Sequence, residues 1–304
     1  MPLDAVIQHA PLTPLMQPGD VSNILFGVGV RDLSWVTSGG QPVPFTSHKA
    51  IIRGNNLTNK PMALPLAIVS NTYKVITNRE LLTSIENTMI EVMSPASLID
   101  VHIVDSVAQN GKTCYRDYTF HGITCDIGAM TPVAFRLVVQ NGYGGSAVRL
   151  IAGAIEFYCS NGMITGKYDS KYARHTSGVK IADFRKFVLS ALHNFTTATD
   201  KWKKWVKTPV INDDVLDFFT SLAITSNLRE NLITQHIVER HHRGPNLWSV
   251  YSAMTNYASH SDGLFPLRKT DENSNAATIM FNRGLDVDLW STTDAFKRIE
   301  MAAA

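Results

Sequence analysis

The hydrophobic period of this chain changes once, and that change constrains the fold more than any motif does. Between Leu98 and Tyr158 the pattern is strand-like: Ile99, Val101 and Ile103 alternate up to Gln109-Asn110-Gly111, and a return run follows from Thr113 to Phe120. A period of two puts such side chains on one face of a strand, and a short Gly-containing polar break between two runs reads as a hairpin. A second long pair, Val133–Gln140 and Ala147–Tyr158, flanks Asn141-Gly142-Tyr143-Gly144-Gly145-Ser146, whose glycines reach the positive φ of a tight turn. An antiparallel meander of four or more strands is expected. From Val179 the period is helical. Ile181, Phe184, Val188, Ala191, Leu192, Phe195, Trp202 and Val206 fall within about 40° of one direction at about 100° per residue, so one long helix should run nearly to Lys207 before Pro209 ends it.

Helical patterns continue at Val215–Ile224, Leu228–Val238 and Leu247–Tyr257, and, after a polar loop at Lys269–Asn275, near Asp286–Ile299. The expected fold class is therefore α+β, an antiparallel β-meander packed by a long helix, with a helical C-terminal third. Upstream, short strands are expected at Lys49–Arg53 and Leu64–Ser70, and a helix from Asn78 as N-cap to about Met93. The first stretch carries Pro2, Pro11, Pro14, Pro18, Pro42 and Pro44 with Gly39-Gly40, a density that disfavours helix. Three regions follow: residues 1–45 as an extended arm, 46–208 as an α+β core, and 209–304 as a helical subdomain.

Composition narrows the class further. With 44% apolar and 18% charged residues, 304 residues can bury a core, which excludes a disordered chain. No window approaches 18 consecutive apolar residues, and the opening lacks a basic segment followed by an apolar one, so no membrane span is expected and the chain reads as intracellular. Cys114, Cys125 and Cys159 are an odd count without paired C-x-x-C spacing, which argues for reduced thiols rather than disulfides or structural zinc.

The net charge of +2 conceals an uneven distribution. Between Ser160 and Lys207 lie ten basic residues and three acidic ones, leaving 18 basic against 23 acidic residues elsewhere. Such a concentration is either a polyanion-facing surface or a solvated helix face. The region interleaves cations with aromatics in Lys167-Tyr168-Asp169-Ser170-Lys171-Tyr172-Ala173-Arg174-His175 and in Lys201-Trp202-Lys203-Lys204-Trp205-Val206-Lys207. Unpaired nucleic acid needs both: cations for phosphates, and flat rings for exposed bases. Helical phase sorts the second segment. Trp202 lies on the buried stripe, Trp205 lies at its margin, and Lys186 and Lys204 point away from it with Lys201 and Lys207 flanking. Lys167, Lys171, Arg174, Lys186, Lys201, Lys204 and Lys207 are thus the expected phosphate contacts, and Tyr172, His175 and Trp205 the expected base contacts.

Two other patterns compete. Gly142-x-Gly144-x-x-Ala147 fits the loosest dinucleotide fingerprint, but Val148-Arg149-Leu150-Ile151 continues as strand where that fingerprint needs a helix. His236, Glu239 and His241 could serve a metal-dependent enzyme such as a nuclease, although the spacing fits neither His-Glu-x-x-His nor His-x-x-Glu-His. A basic helix end before Gly244-Pro245 is the simpler reading. No nucleophile elbow and no Walker loop occur, so neither catalytic residues nor a cofactor are expected.

Ile68-Val69-Ser70-Asn71-Thr72-Tyr73 leading to Asn78-Arg79-Glu80-Leu81-Leu82, the Asn141–Ser146 turn, Tyr158-Cys159-Ser160-Asn161-Gly162-Met163, and Arg174-His175-Thr176 before the long helix stand in this order. That order, over roughly Leu64 to Phe195, resembles a family of uncharacterised phage and plasmid proteins with a domain of unknown function. Gly144 departs from it, standing where an acidic residue is usual. The resemblance implies a mobile-element context, inside the cytoplasm of an infected bacterial host. In size and charge layout the chain is also similar to the single-strand-binding cofactors with which podoviruses carrying a giant virion RNA polymerase help a second polymerase engage melted promoters. The expectation is a phage-type single-stranded DNA-binding protein in transcription or replication, with a phage RNA polymerase as a protein partner. A single-strand annealing recombination protein and a protein-interaction adaptor are the alternatives.

Overall fold

The computed structural model describes residues 24–54, 65–144, 148–156, 161–164, 170–173, 182–260, 264–265 and 276–302. Its strands are β1 (Val28–Val36), β2 (Pro42–Arg53), β3 (Ala67–Ser70), β4 (Val101–Ala108), β5 (Thr113–Cys125), β6 (Val133–Gly142), β7 (Val148–Glu156), β8 (Asn161–Ile164) and β9 (Ser170–Ala173). The helices are α1 (Asn78–Val92), α2 (Ala182–Lys207), α3 (Asn212–Ser221), α4 (Ser226–Arg243), α5 (Leu247–Ser259), α6 (Ala276–Ser291) and α7 (Asp294–Ala302). The fold is α+β: one antiparallel sheet in the order β1-β2-β3, and another in the order β4-β5-β6-β7-β8 with β9 beside β7. Two compact units divide the chain, one of Met1–Tyr118, Val138–Leu150 and Ser170–Val188, the other of Thr119–Leu137, Ile151–Asp169 and Leu189–Ala304. The divisions fall inside β5, β6, β7 and α2. Among the described residues no helix is long and apolar enough to cross a membrane.

In the first unit, the expected arm is in part a paired ribbon. Residues 28–45 belong to β1 and β2, with Val28 opposite Arg53, Asp32 opposite Lys49, and, beyond a register shift, Leu33 opposite Phe45 and Val36 opposite Pro42. Pro42 and Pro44 are tolerated although β2 is the middle strand, because β3 pairs only with His48–Ile51 and leaves the Pro42–Phe45 part of β2 as an edge; residues 1–23 lie outside the described residues. The N-cap of α1 is Thr77, not Asn78: Thr77 Oγ1 accepts from the Glu80 amide at 3.2 Å and Glu80 Oε2 accepts from the Thr77 amide at 2.9 Å. Asn78 is instead drawn into the core, where its Nδ2 donates to Ile24 O at 2.6 Å and its Oδ1 accepts from Asn141 Nδ2 at 2.7 Å. Leu81, Leu82, Ile85 and Met89 make the buried stripe of α1, as their spacing predicts.

The expected β4–β5 hairpin is present, and its turn shows why glycine stands there. Gly111 has φ +103°, and a Cβ at that position would lie 2.6 Å from the Phe26 ring. Gly144, at φ +72°, is as constrained, because a Cβ would lie 2.5 Å from that of Ala67. The acidic residue usual at this position therefore has no room in this chain's packing.

Arg116, 1% exposed, ties this unit together. Its Nε and Nη2 donate to the two Asp105 carboxylate oxygens at 2.7 Å each, its Nη1 donates to Glu86 at 2.9 Å, and the Tyr118 hydroxyl donates to the same Glu86 oxygen at 2.8 Å. Burial alone would lower the guanidinium pKa, but Asp105, Tyr118 and Glu86 together raise it, so the charge is held. Glu86 is raised by burial, against the Tyr118 and Arg116 bonds. Every group in the cluster is engaged by another, which suits a structural anchor of α1 on β4 and β5.

In the second unit an aromatic chain forms the core. Phe120 meets Phe135 at 5.4 Å, Phe135 meets Phe195 at 5.5 Å, Phe195 meets Trp202 at 6.5 Å, and Trp202 meets Trp248 at 5.8 Å. Helix α5 is the centre of the helical layer, buried at ten of its positions and packed against α4, α6 and β8. The single helix expected near Asp286–Ile299 is two. Thr293 ends α6 by donating its hydroxyl to Trp290 O at 2.8 Å and caps α7 by accepting from the Phe296 amide at 3.3 Å. Of the cysteines, Cys114 is buried and Cys125 half-buried, both free thiols, and burial pushes the Cys114 thiol up to about 12; Cys159 lies outside the described residues.

Candidate nucleic-acid interface

Helix α2 carries five of the expected contacts, and the second unit sorts four of them. Trp202 is buried at 2%, as its phase predicts. Trp205 is also 2% exposed, which removes it as a base-stacking side chain. Its indole Nε1 donates to Glu300 Oε1 at 2.8 Å, and its ring packs on Tyr251 at 5.0 Å and on Phe296 at 5.2 Å. Trp205 lies at the margin of the stripe, and α5 and α7 widen the buried face to include that margin.

Lys201 goes with it. Its Nζ lies 4.4 Å from the centre of the Trp205 ring, and it is half-buried; burial lowers its pKa while Glu300 and Asp288 oppose that shift. Lys201 is thus held over the Trp205 ring and is less exposed than the solvent-facing ridge expected of it. Lys203 pairs with Asp200 at 3.5 Å on an exposed surface. Lys204 and Lys207 are exposed and form no ion pair among the described residues. Lys186, on the α2 turn in the first unit, is exposed as well. Lys171 and Tyr172 belong to β9; Lys167, Arg174 and His175 lie outside the described residues.

The Leu247 amide donates to Thr208 O at 2.9 Å, the Val210 amide donates to Pro245 O at 2.9 Å, and Pro209 bridges to Asn246. These bonds run antiparallel about Pro209 and Asn246, so the end of α2 faces the first turn of α5, while the last turn of α4, which carries Arg240, His241, His242 and Arg243, lies beside the start of α3 through Arg240 and Asn212. The α2 and α4 ends are both cationic, each where its own macrodipole favours positive charge. Arg243 is held by Glu239 at 2.7 Å and Arg240 donates to Asn212 Oδ1, whereas His241 and His242 are exposed. Asp213 and Asp214 in the first turn of α3 make no ion pair with Lys204 or Lys207.

The metal reading of α4 fails on geometry. His236 is buried, with Nε2 3.3 Å from Ser249 Oγ, and burial followed by the Arg240 charge pushes its pKa down to about 4. Glu239 is spent on Gln235 Nε2 at 3.0 Å and Arg243 Nε at 2.7 Å, while His241 stands in solvent against His242. Among the described residues no three His, Cys, Asp or Glu side chains converge as metal ligands. The Asn141–Gly144 turn is followed by strand β7, so it forms no phosphate-binding helix N-terminus.

Residues 28–45 carry exposed aromatic rings. Trp35 is 56% and Phe45 46% exposed, while the other four tryptophans are each 7% exposed or less. Arg31-x-Leu33-x-Trp35 was the available signal, a strand alternation inside a stretch whose prolines suggested a loose arm.

Residues 65–280 match the family profile described as Domain of unknown function (DUF932). No curated protein and no solved structure matches the chain.

Proposed function

The chain belongs to the DUF932 family, a domain of unknown function, and on that premise we propose that it binds single-stranded DNA with little sequence preference and without catalysis. We place this binding in phage transcription or replication within the bacterial host, as a cofactor assisting an RNA polymerase at melted DNA. One observation carries the reading: Lys204 and Lys207 stand exposed on the side of α2 away from its buried stripe and, among the described residues, form no ion pair. Exposed lysines without carboxylate partners are free to replace the counterions of phosphates, a contact that carries no base information.

The test is a titration of labelled oligo-dT and of matching duplex at several salt concentrations. Single strands lose about 0.7 in log–log salt slope per phosphate contact removed. Lys204→Ala with Lys207→Ala should therefore flatten the slope by about 1.4 and weaken binding at low salt. An affinity and a slope that both match the unaltered protein would show that this surface does not meet phosphates.

A further inference from the structure

We propose that the outward side of β1 and β2 is the base-binding element, with Trp35 and Phe45 as stacking planes for unpaired nucleotides and Arg31 as their cationic partner. The proposal rests on the single-strand reading and supplies the aromatic contacts that the burial of Trp205 withdraws from it.

Strand β1 is continuous from Val28 to Val36, so alternation turns Arg31, Leu33 and Trp35 to the same side. Pairing sets Phe45 across from Leu33 and Val43 across from Trp35 on that side, and Ala50 across from Arg31, with Ile68 of β3 beyond it. Arg31, Trp35, Phe45 and Ile68 are all exposed. Among the described residues Arg31 bonds to its neighbour's carbonyl, Val30 O, at 2.9 Å and to no carboxylate. Asp32 is the sole carboxylate between Val28 and Arg53, and the same alternation turns it to the opposite side. The outward strip therefore carries positive charge and aromatic planes with no acid among them, a chemistry complementary to phosphate and base together.

The strip is also held in shape. Thr37 closes the ribbon tip: its carbonyl accepts from the Gly40 amide at 2.9 Å, its amide donates to Gln41 O at 3.0 Å, and Gly40 supplies φ +81°. The His48 ring lies 5.3 Å from that of Phe45 at 17°, and its Nδ1 is 2.8 Å from Ser47 Oγ, so one side of Phe45 is fixed while the ring stays 46% exposed. Ordering entropy at these rings is thus partly spent before any ligand arrives.

Dimensions select the occupant. Side chains two apart on a strand are about 6.7 Å apart, about twice the 3.4 Å rise per nucleotide in one strand of a duplex. Bases that meet successive outward side chains must be unstacked from each other, which a single strand permits and a duplex does not. The two rings and Ile68 offer on the order of 300 Å² of exposed apolar surface. That is less than half of the roughly 800 Å² that each partner of a stable protein interface buries. Nucleobases fit this strip better than a second copy of the chain does.

The experiment uses the full chain and oligo-dT. Trp35 is the one exposed tryptophan of five, so oligo-dT should quench part of the intrinsic fluorescence and Trp35→Phe should abolish that quenching with affinity nearly retained. Trp35→Ala with Phe45→Ala should weaken oligo-dT binding by about 5- to 150-fold per stacked base lost, with the salt slope unchanged because stacking releases no counterions. Circular dichroism should be unaltered, since neither ring belongs to the core. If the unaltered protein binds oligo-dT, but the double variant binds equally well and quenching survives Trp35→Phe, the ribbon proposal is overturned and the lysine surface stands. An unaltered protein that does not bind oligo-dT at low salt overturns both. A changed sedimentation coefficient in the double variant with unchanged DNA binding makes the strip a contact between copies, which also overturns the proposal.

Discussion

Replacing Trp205 separates packing from nucleic-acid binding at the residue where sequence and structure disagree most. The indole N–H meets a carboxylate oxygen of Glu300 at 2.8 Å in a site 2% exposed. Hydrogen bonds to charged groups contribute about 1.5–3 kcal/mol, and Trp205→Phe removes this one while keeping most of the ring packing. A loss of about 2–3 kcal/mol is therefore expected for Trp205→Phe. Trp205→Ala should lose about 3–5 kcal/mol from the cavity, with the lost bond on top. The second loss takes up much of a typical net stability of about 5–15 kcal/mol. Urea unfolding followed by near-UV circular dichroism measures the change, and oligo-dT titration at low temperature measures binding by the folded Trp205→Phe protein. Its midpoint should fall while its affinity stays within about twofold, less than the roughly fivefold that even 1 kcal/mol produces. An unchanged midpoint with weakened binding would put the indole on the nucleic acid and refute the packing of α7 on α2.

Other substitutions test other parts of the fold. Burial holds the Asp288 carboxyl up at about 6 from 3.8, so stability that is full below pH 4 declines as the pH rises through 6. At about 1.36 kcal/mol per pH unit, Asp288→Asn should gain up to about 3 kcal/mol on the unaltered protein at pH 7 and nothing at pH 4; equal urea midpoint differences at the two pH values would contradict this. His236 has the opposite sign: held at about 4 from 6.5, it contributes stability above pH 6.5 that is lost as the pH falls through 4, so His236→Gln should be less acid-sensitive than the unaltered protein. Arg116→Met leaves Asp105 and Glu86 buried without their cation and should cost about 3–5 kcal/mol, read as a lowered Tm with oligo-dT affinity unchanged. Gly144→Asp should be destabilised by about 1–3 kcal/mol, and Ala67→Gly in the same chain should restore part of that by removing the 2.5 Å contact.

The legible parts of this protein are those in which a residue's state depends on its near neighbours. The Gln109–Gly111 turn follows from positive φ and the alternation on either side. Helix α2 follows from a stripe sustained over seven turns, and that stripe also buries Trp202. The Thr77-x-x-Glu80 capping box was present in the sequence, yet Asn78 competed with it as a cap and was excluded only by its bonds to Ile24 and Asn141, 54 and 63 residues away. The break between α6 and α7 turns on a single threonine hydroxyl within one continuous apolar pattern.

The candidate site shows the same division more sharply. The exposure of Lys204 and Lys207 is legible because a helix face opposite an apolar stripe is exposed whatever packs on the stripe. Trp205 and Lys201 were misplaced because the width of a buried face is set by what covers it, and Glu300, 95 residues on, does so here. The exposure of Arg31, Trp35 and Phe45 is not legible because prolines hide a strand whose pairing is made across the ribbon. Periodicity and backbone preference act through neighbours in the chain, so the sequence alone determines the elements and the inner side of each. Exposure at the margins depends on desolvation by residues distant in the chain, so only the tertiary structure decides which cations and rings remain in water to meet a ligand.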